Sequence, residues 1–183
     1  MPGTVNTPPR AGLKLAIVAL LAVNSGLYAL DGTASEALDS AAWYVLLVLF
    51  YWETAWCRRP PSRMLARVLH GIRFAAGAAI VVAASGYTQE GAWLNAINAW
   101  LWIAVVIALE FEVRYPERVA LRRRTFIAAT AALYLGLLAV LGSWIARDRW
   151  LDAYDALLWL LAFAIVEVDL LAPGAARRAP RQS

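Results

Sequence analysis

Five carboxylates occupy positions from which a cation could be handled. Glu53, Glu110, Glu112, Glu167 and Asp169 fall at or near the C-terminal ends of three strongly apolar runs. An ionisable side chain at the edge of a hydrocarbon-like segment is costly, which makes it a functional candidate. Converging there, these groups would line the mouth of a proton or cation path. Their oxygens would also suit a hard divalent ion, so the identity of any metal is left open by the residue types alone.

A structural use competes with this. Lys14 precedes Asp39 by 25 residues, and Arg73 precedes Asn98 by the same interval. In antiparallel helix pairs that register brings Lys14 level with Glu53 and Arg73 level with Glu112, as ion pairs. At the matching third position stands Thr130, so Glu167 and Asp169 lack such a partner and become the pair to test first.

Other chemistry has little support. His70 is the only histidine and Cys57 the only cysteine, which removes a histidine-rich metal site and an internal disulfide. Cys57 beside Arg58 and Arg59 would suit a reactive thiol or a lipid attachment, and neither reading is adopted. No nucleophile elbow, phosphate-cradling loop, zinc spacing or dinucleotide fingerprint occurs. The expectation is a chain without catalytic residues and without a cofactor. The net charge of +4 does not imply nucleic acid, because no segment is long enough for a soluble basic platform.

These carboxylates sit in a chain of 183 residues that is 62% apolar and 16% charged, with nine Trp. Soluble domains lie nearer half apolar and a quarter charged. The excess is clustered at 15–30, 41–56, 68–87, 92–109, 126–146 and 153–171. Each run approaches the length that crosses ~30 Å of hydrocarbon at 1.5 Å per residue. All eight prolines lie outside these runs, as uninterrupted helices in lipid require. The chain therefore reads as an all-α integral membrane protein with six transmembrane helices. The first apolar run, after Arg10 and Lys14, is read as a helix of the mature protein and not as a cleaved signal peptide.

Charge is sorted between alternate connections. The tails and the connections at 57–73 and 113–124 hold 15 of the 17 basic residues, while the other three connections are acidic and hold only Arg147 and Arg149. Under the positive-inside rule both termini face the cytoplasm. The expected address is a bacterial inner membrane, with residues 1–12 and 172–183 as short cytoplasmic tails of a single membrane domain.

An internal repeat organises the acids. The stretches DSAAWYVLLVLFYWE, NAWLWIAVVIALEFE and DALLWLLAFAIVEVD align without gaps, so that Asp39, Trp43, Glu53 match Asn98, Trp102, Glu112 and Asp155, Trp159, Asp169. At 100° per residue the first, fifth and fifteenth positions fall within about 40° of one direction. Three tandem helical hairpins follow, at about 13–57, 66–115 and 124–171, and units of equal orientation suit pseudo-threefold symmetry. The matched Trp residues read as part of an aromatic belt at the membrane interface. Small-residue pairs Ser25-Gly26, Ser85-Gly86 and Gly142-Ser143 recur just upstream of the three stretches, and the small-residue-rich runs FAAGAAIVVAASG and FIAATAALYLG read as close helix packing.

Midspan sequences such as AAGAA and AFA offer no polar site of the kind transporters use. The leading expectation is a non-catalytic accessory or assembly subunit acting through a membrane-protein partner or a homo-oligomer, in contact with the lipid bilayer. The alternative is a small proton or cation channel or transporter using the carboxylates named above.

Overall fold

Short polar turns set the helix boundaries. Thr33 and Glu36 form a reciprocal capping box: the Thr33 backbone N–H donates to Glu36 Oε2 at 2.9 Å, and the Glu36 N–H donates to Thr33 Oγ1 at 3.3 Å. Gly91 takes a left-handed φ of 73°, and the Ala92 N–H donates back to the Tyr87 carbonyl at 2.9 Å. Asp148 repeats this ending with a φ of 56°, while the Arg149 N–H donates to the Trp144 carbonyl at 3.0 Å. Both are left-handed helix terminators that satisfy carbonyls the helix leaves open.

A computed structural model describes residues 9–55 and 62–171; the side chains at 9–11, 14, 51, 53–55 and 166–171 fall outside the described residues. The described residues are all-helical, with seven helices: α1 Pro9–Asp31, α2 Ala34–Ala55, α3 Arg63–Gln89, α4 Trp93–Arg114, α5 Pro116–Leu121, α6 Arg123–Ile145 and α7 Trp150–Leu171. The short α5 lies within a segment expected to be only a basic connection. Pro116 opens it at a position where a missing N–H costs nothing.

Among the described residues three helices, α3, α4 and α6, are long and apolar enough to cross a membrane. The apolar part of α1 is shorter, Leu15–Asp31. α7 is 22 residues long, and Asp155 and Glu167 bracket an uncharged stretch at 156–166 within it. The exposed faces carry large apolar side chains, among them Leu15, Val23, Leu30, Phe74, Val82, Ile107 and Leu135.

The six long helices close into a ring: α1 packs on α2, α2 on α3, α3 on α4, α4 on α6, α6 on α7, and α7 returns to α1. Its centre is filled by Ile17, Leu21, Val105, Leu137 and Leu158 together with Trp102 and Trp159. Trp43 meets the Trp102 ring at 6.4 Å and the Trp159 ring at 5.8 Å, and Phe163 lies 4.8 Å from Trp102. The three Trp residues expected in an interfacial belt thus plug the centre of the ring. Their indoles turn inward because each lies on the face that its helix buries.

Small residues behave unequally. A Cβ on Gly86 would collide with Ser35 Oγ, so α3 approaches the start of α2 closely there, whereas Gly26 and Gly142 face open space. Of the glycines in the three recurring pairs, Gly86 alone makes a close helix contact.

Candidate functional site

The turns that join α1 to α2, α3 to α4 and α6 to α7 stand at one end of the ring, the acidic end. Just beneath them lies a chamber of about 40 Å³, large enough for a few water molecules. Carboxylates Glu36, Asp39, Asp152 and Asp155 line it, with the amides of Asn95 and Asn98. Tyr28 on α1, Tyr87 on α3 and Trp144 on α6 face it from the helix before each turn, and Trp43 and Trp159 form its floor. Asp39, Asn98 and Asp155, the matched first positions of the three aligned stretches, all reach this one chamber.

Hydrogen bonds join helices that are remote in sequence. Tyr28 donates to Asp152 Oδ1 at 3.1 Å, and Tyr87 donates to Asp39 Oδ2 at 3.3 Å. Asn24, only 1% exposed, donates through Nδ2 to Asp155 Oδ1 at 2.6 Å. Trp43 and Trp159 stand one turn along from Asp39 and Asp155 on the same helix faces.

Arg149 caps the chamber. Its Nε lies 2.7 Å from Asp152 Oδ2, its Nη2 lies 3.4 Å from Glu36 Oε1, and its Nη1 donates to Asn95 Oδ1 at 3.4 Å. Asn95 in turn donates to Glu36 Oε1 at 3.0 Å. Glu36, Asn95 and Asp152 each stand three residues before Asp39, Asn98 and Asp155. One guanidinium thus bridges the equivalent position of all three aligned stretches. A shallower hollow of about 170 Å³, bounded by Leu27, Asp31, Arg149 and Leu151, opens beside it.

Polar atoms in and beside the chamber remain unmatched. Asp39 Oδ1, Asn98 Oδ1, Asn24 Oδ1 and Trp144 Nε1 are sequestered and make no hydrogen bond. Buried polar groups are ordinarily paired, so each calls for a physical account.

At the opposite, basic end the expected site residues are dispersed. Glu110 is exposed and pairs with Arg114 one turn on, at 2.5 Å, and Glu112 is exposed on the same helix. Two residues apart on a helix they point ~200° away from each other, so they do not converge. Arg73 is half-buried and engaged in an interaction. The side chains of Lys14, Glu53, Glu167 and Asp169 lie outside the described residues. Among the described residues no group of three or more His, Cys, Asp or Glu is placed to hold a metal ion.

The chamber was visible in the sequence only in part. Extending the aligned stripe three residues upstream reaches Glu36, Asn95 and Asp152, and eleven residues upstream reaches Tyr28, Tyr87 and Trp144. Those recurrences were the available signal. That Tyr28 would meet Asp152, 124 residues away, had no local signature. No family model, curated protein or solved structure matches this chain.

Proposed function

We propose that the chain is a six-span protein of a bacterial inner membrane, built as three tandem helical hairpins with pseudo-threefold symmetry and with both termini cytoplasmic. It acts without catalysis, as an accessory or assembly subunit held by membrane partners. The observation that carries this reading is the plugged centre: Trp43, Trp102, Trp159 and Phe163 fill the ring below the chamber. Neither hollow at the acidic end reaches the basic end. A protein with a filled axis and broadly apolar flanks is suited to being packed against, in lipid or in a complex.

The ring of contacts, with α1–α2, α3–α4 and α6–α7 each packed as neighbours, supports the hairpin arrangement. The recurrence of chamber residues at equal offsets supports the symmetry. The sorting of basic residues supports the orientation.

Purification in a mild detergent after crosslinking in intact cells tests the role, with oligomeric state measured on the same sample. A stable monomer that carries no crosslinked membrane protein would sink the subunit reading. Orientation has its own test in the native Cys57. An impermeant maleimide should label it in inverted vesicles but not in spheroplasts, while a Thr33→Cys variant should show the reverse.

A cation pathway is the second reading, and the chamber's carboxylates are what favours it. It places function at the acidic end instead of at Glu53, Glu110, Glu112, Glu167 and Asp169. Cation flux into proteoliposomes that survives Asp39→Asn and Asp155→Asn together would exclude that version.

A further inference from the structure

We infer that the chamber beneath Arg149 is a binding site for a small monovalent cation, anchored by Asp39 and Asn98. The inference goes beyond a subunit role and needs no partner protein. The chain already places one cation in this column, since the Arg149 guanidinium sits over Glu36, Asn95 and Asp152. One helical turn below, ~4.5 Å along the axis, the corresponding residues Asp39, Asn98 and Asp155 surround the chamber without a cation of their own.

An excess of acid over base and the unmatched atoms both favour a cation here. Four carboxylates line the chamber and Arg149 is the one basic group in contact with them among the described residues. Sequestered carboxylates are costly unless paired or hydrogen-bonded. The oxygens still open on residues that line the chamber are Asp39 Oδ1 and the amide oxygen of Asn98. Oxygen ligands select hard cations, and one charged oxygen with a neutral one matches a single positive charge. A divalent ion would call for more convergent carboxylates, and no three-acid group is so placed among the described residues. Trp144, 3% exposed and with Nε1 unmatched, faces the same chamber. An indole N–H cannot ligate a cation, but it can donate to a water in the cation's hydration shell. One partly hydrated ion thereby accounts for the open acceptors and the open donor together.

An alkali ion and an ammonium ion share this chemistry, and the test separates them. Thermal unfolding of the full chain in detergent would be followed at constant ionic strength. Choline chloride would be replaced stepwise by sodium, potassium, ammonium or methylammonium chloride. Saturable stabilisation by at least one small cation is expected, rising by about 5 °C at a hundredfold excess over Kd. Asp39→Asn should abolish it, and Glu117→Gln, on α5, should retain it. Response to sodium or potassium alone assigns an alkali ion; response to the ammonium salts alone assigns an ammonium ion. Asn98→Asp, which adds a second charge, should tighten the midpoint at least tenfold, a readout that survives if Asp39→Asn does not fold. No change when choline is replaced by any of the small cations, or an unchanged midpoint in Asn98→Asp, would overturn the inference; the former would mean that water or protons suffice.

Discussion

Removing the guanidinium of Arg149 should loosen the acidic end of the ring in a measurable way. Its strongest contact is with Asp152, at 2.7 Å from a carboxylate side chain only 8% exposed, while Glu36 and Asn95 lie at 3.4 Å. Breaking a fully buried ion pair by deleting one partner costs about 3–5 kcal/mol, and an exposed pair contributes about 0–1 kcal/mol. The Arg149 side chain is 43% exposed, so solvent screens it considerably and Arg149→Met should cost about 1–2 kcal/mol. For a chain of this length that is a fall of about 3–6 °C in unfolding midpoint.

The assay is thermal unfolding in detergent, with Arg147→Met as reference because Arg147 is exposed and two residues away. Arg149→Lys should recover only part of the loss, since a single ammonium cannot span three acceptors fixed for a planar fork. Combined with Asp152→Asn, the loss should fall short of the sum of the single losses by about 1 kcal/mol, the sign of a direct pair. A midpoint for Arg149→Met within about 1 °C of the Arg147→Met value would refute the bridging role.

Other parts of the fold give sharp contrasts. Trp102→Ala should destabilise by about 3–5 kcal/mol, because Trp102 is 5% exposed at the ring centre, whereas Trp100→Ala, at a side chain 46% exposed, should cost under about 1 kcal/mol; equal losses would contradict the plug. Gly86→Ala should disturb the 2.6 Å hydrogen bond from Ser35 to Glu90 and destabilise by about 1 kcal/mol, despite alanine's better helix propensity. In a Ser35→Ala background the same change should become neutral or stabilising. Asp148→Gly should stabilise by about 0.5–1 kcal/mol, since Asp148 holds a left-handed φ of 56° that glycine adopts freely; a loss on calorimetry would count against that backbone argument.

Local patterns in the sequence carried the helices, because apolar run length, capping residues and turn residues act over a few positions. Thr33 with Glu36, Gly91 and Pro116 each act through their immediate neighbours. Side-chain direction was harder to read. The stripe through Asp39, Trp43 and their counterparts was evident as a period, but a period does not say whether its face meets lipid or other helices. Trp suits either place, being amphipathic, and here ring closure by the α7–α1 contact decides for the interior. With the Trp residues turned inward, the residues one turn above them must also face the axis. That places Asp39, Asn98 and Asp155 around a common chamber and brings Glu36, Asn95 and Asp152 under a single guanidinium. The interest of the chain accordingly moves from the basic-end carboxylates to the acidic end, where buried polar side chains from all three aligned stretches gather under the Arg149 guanidinium.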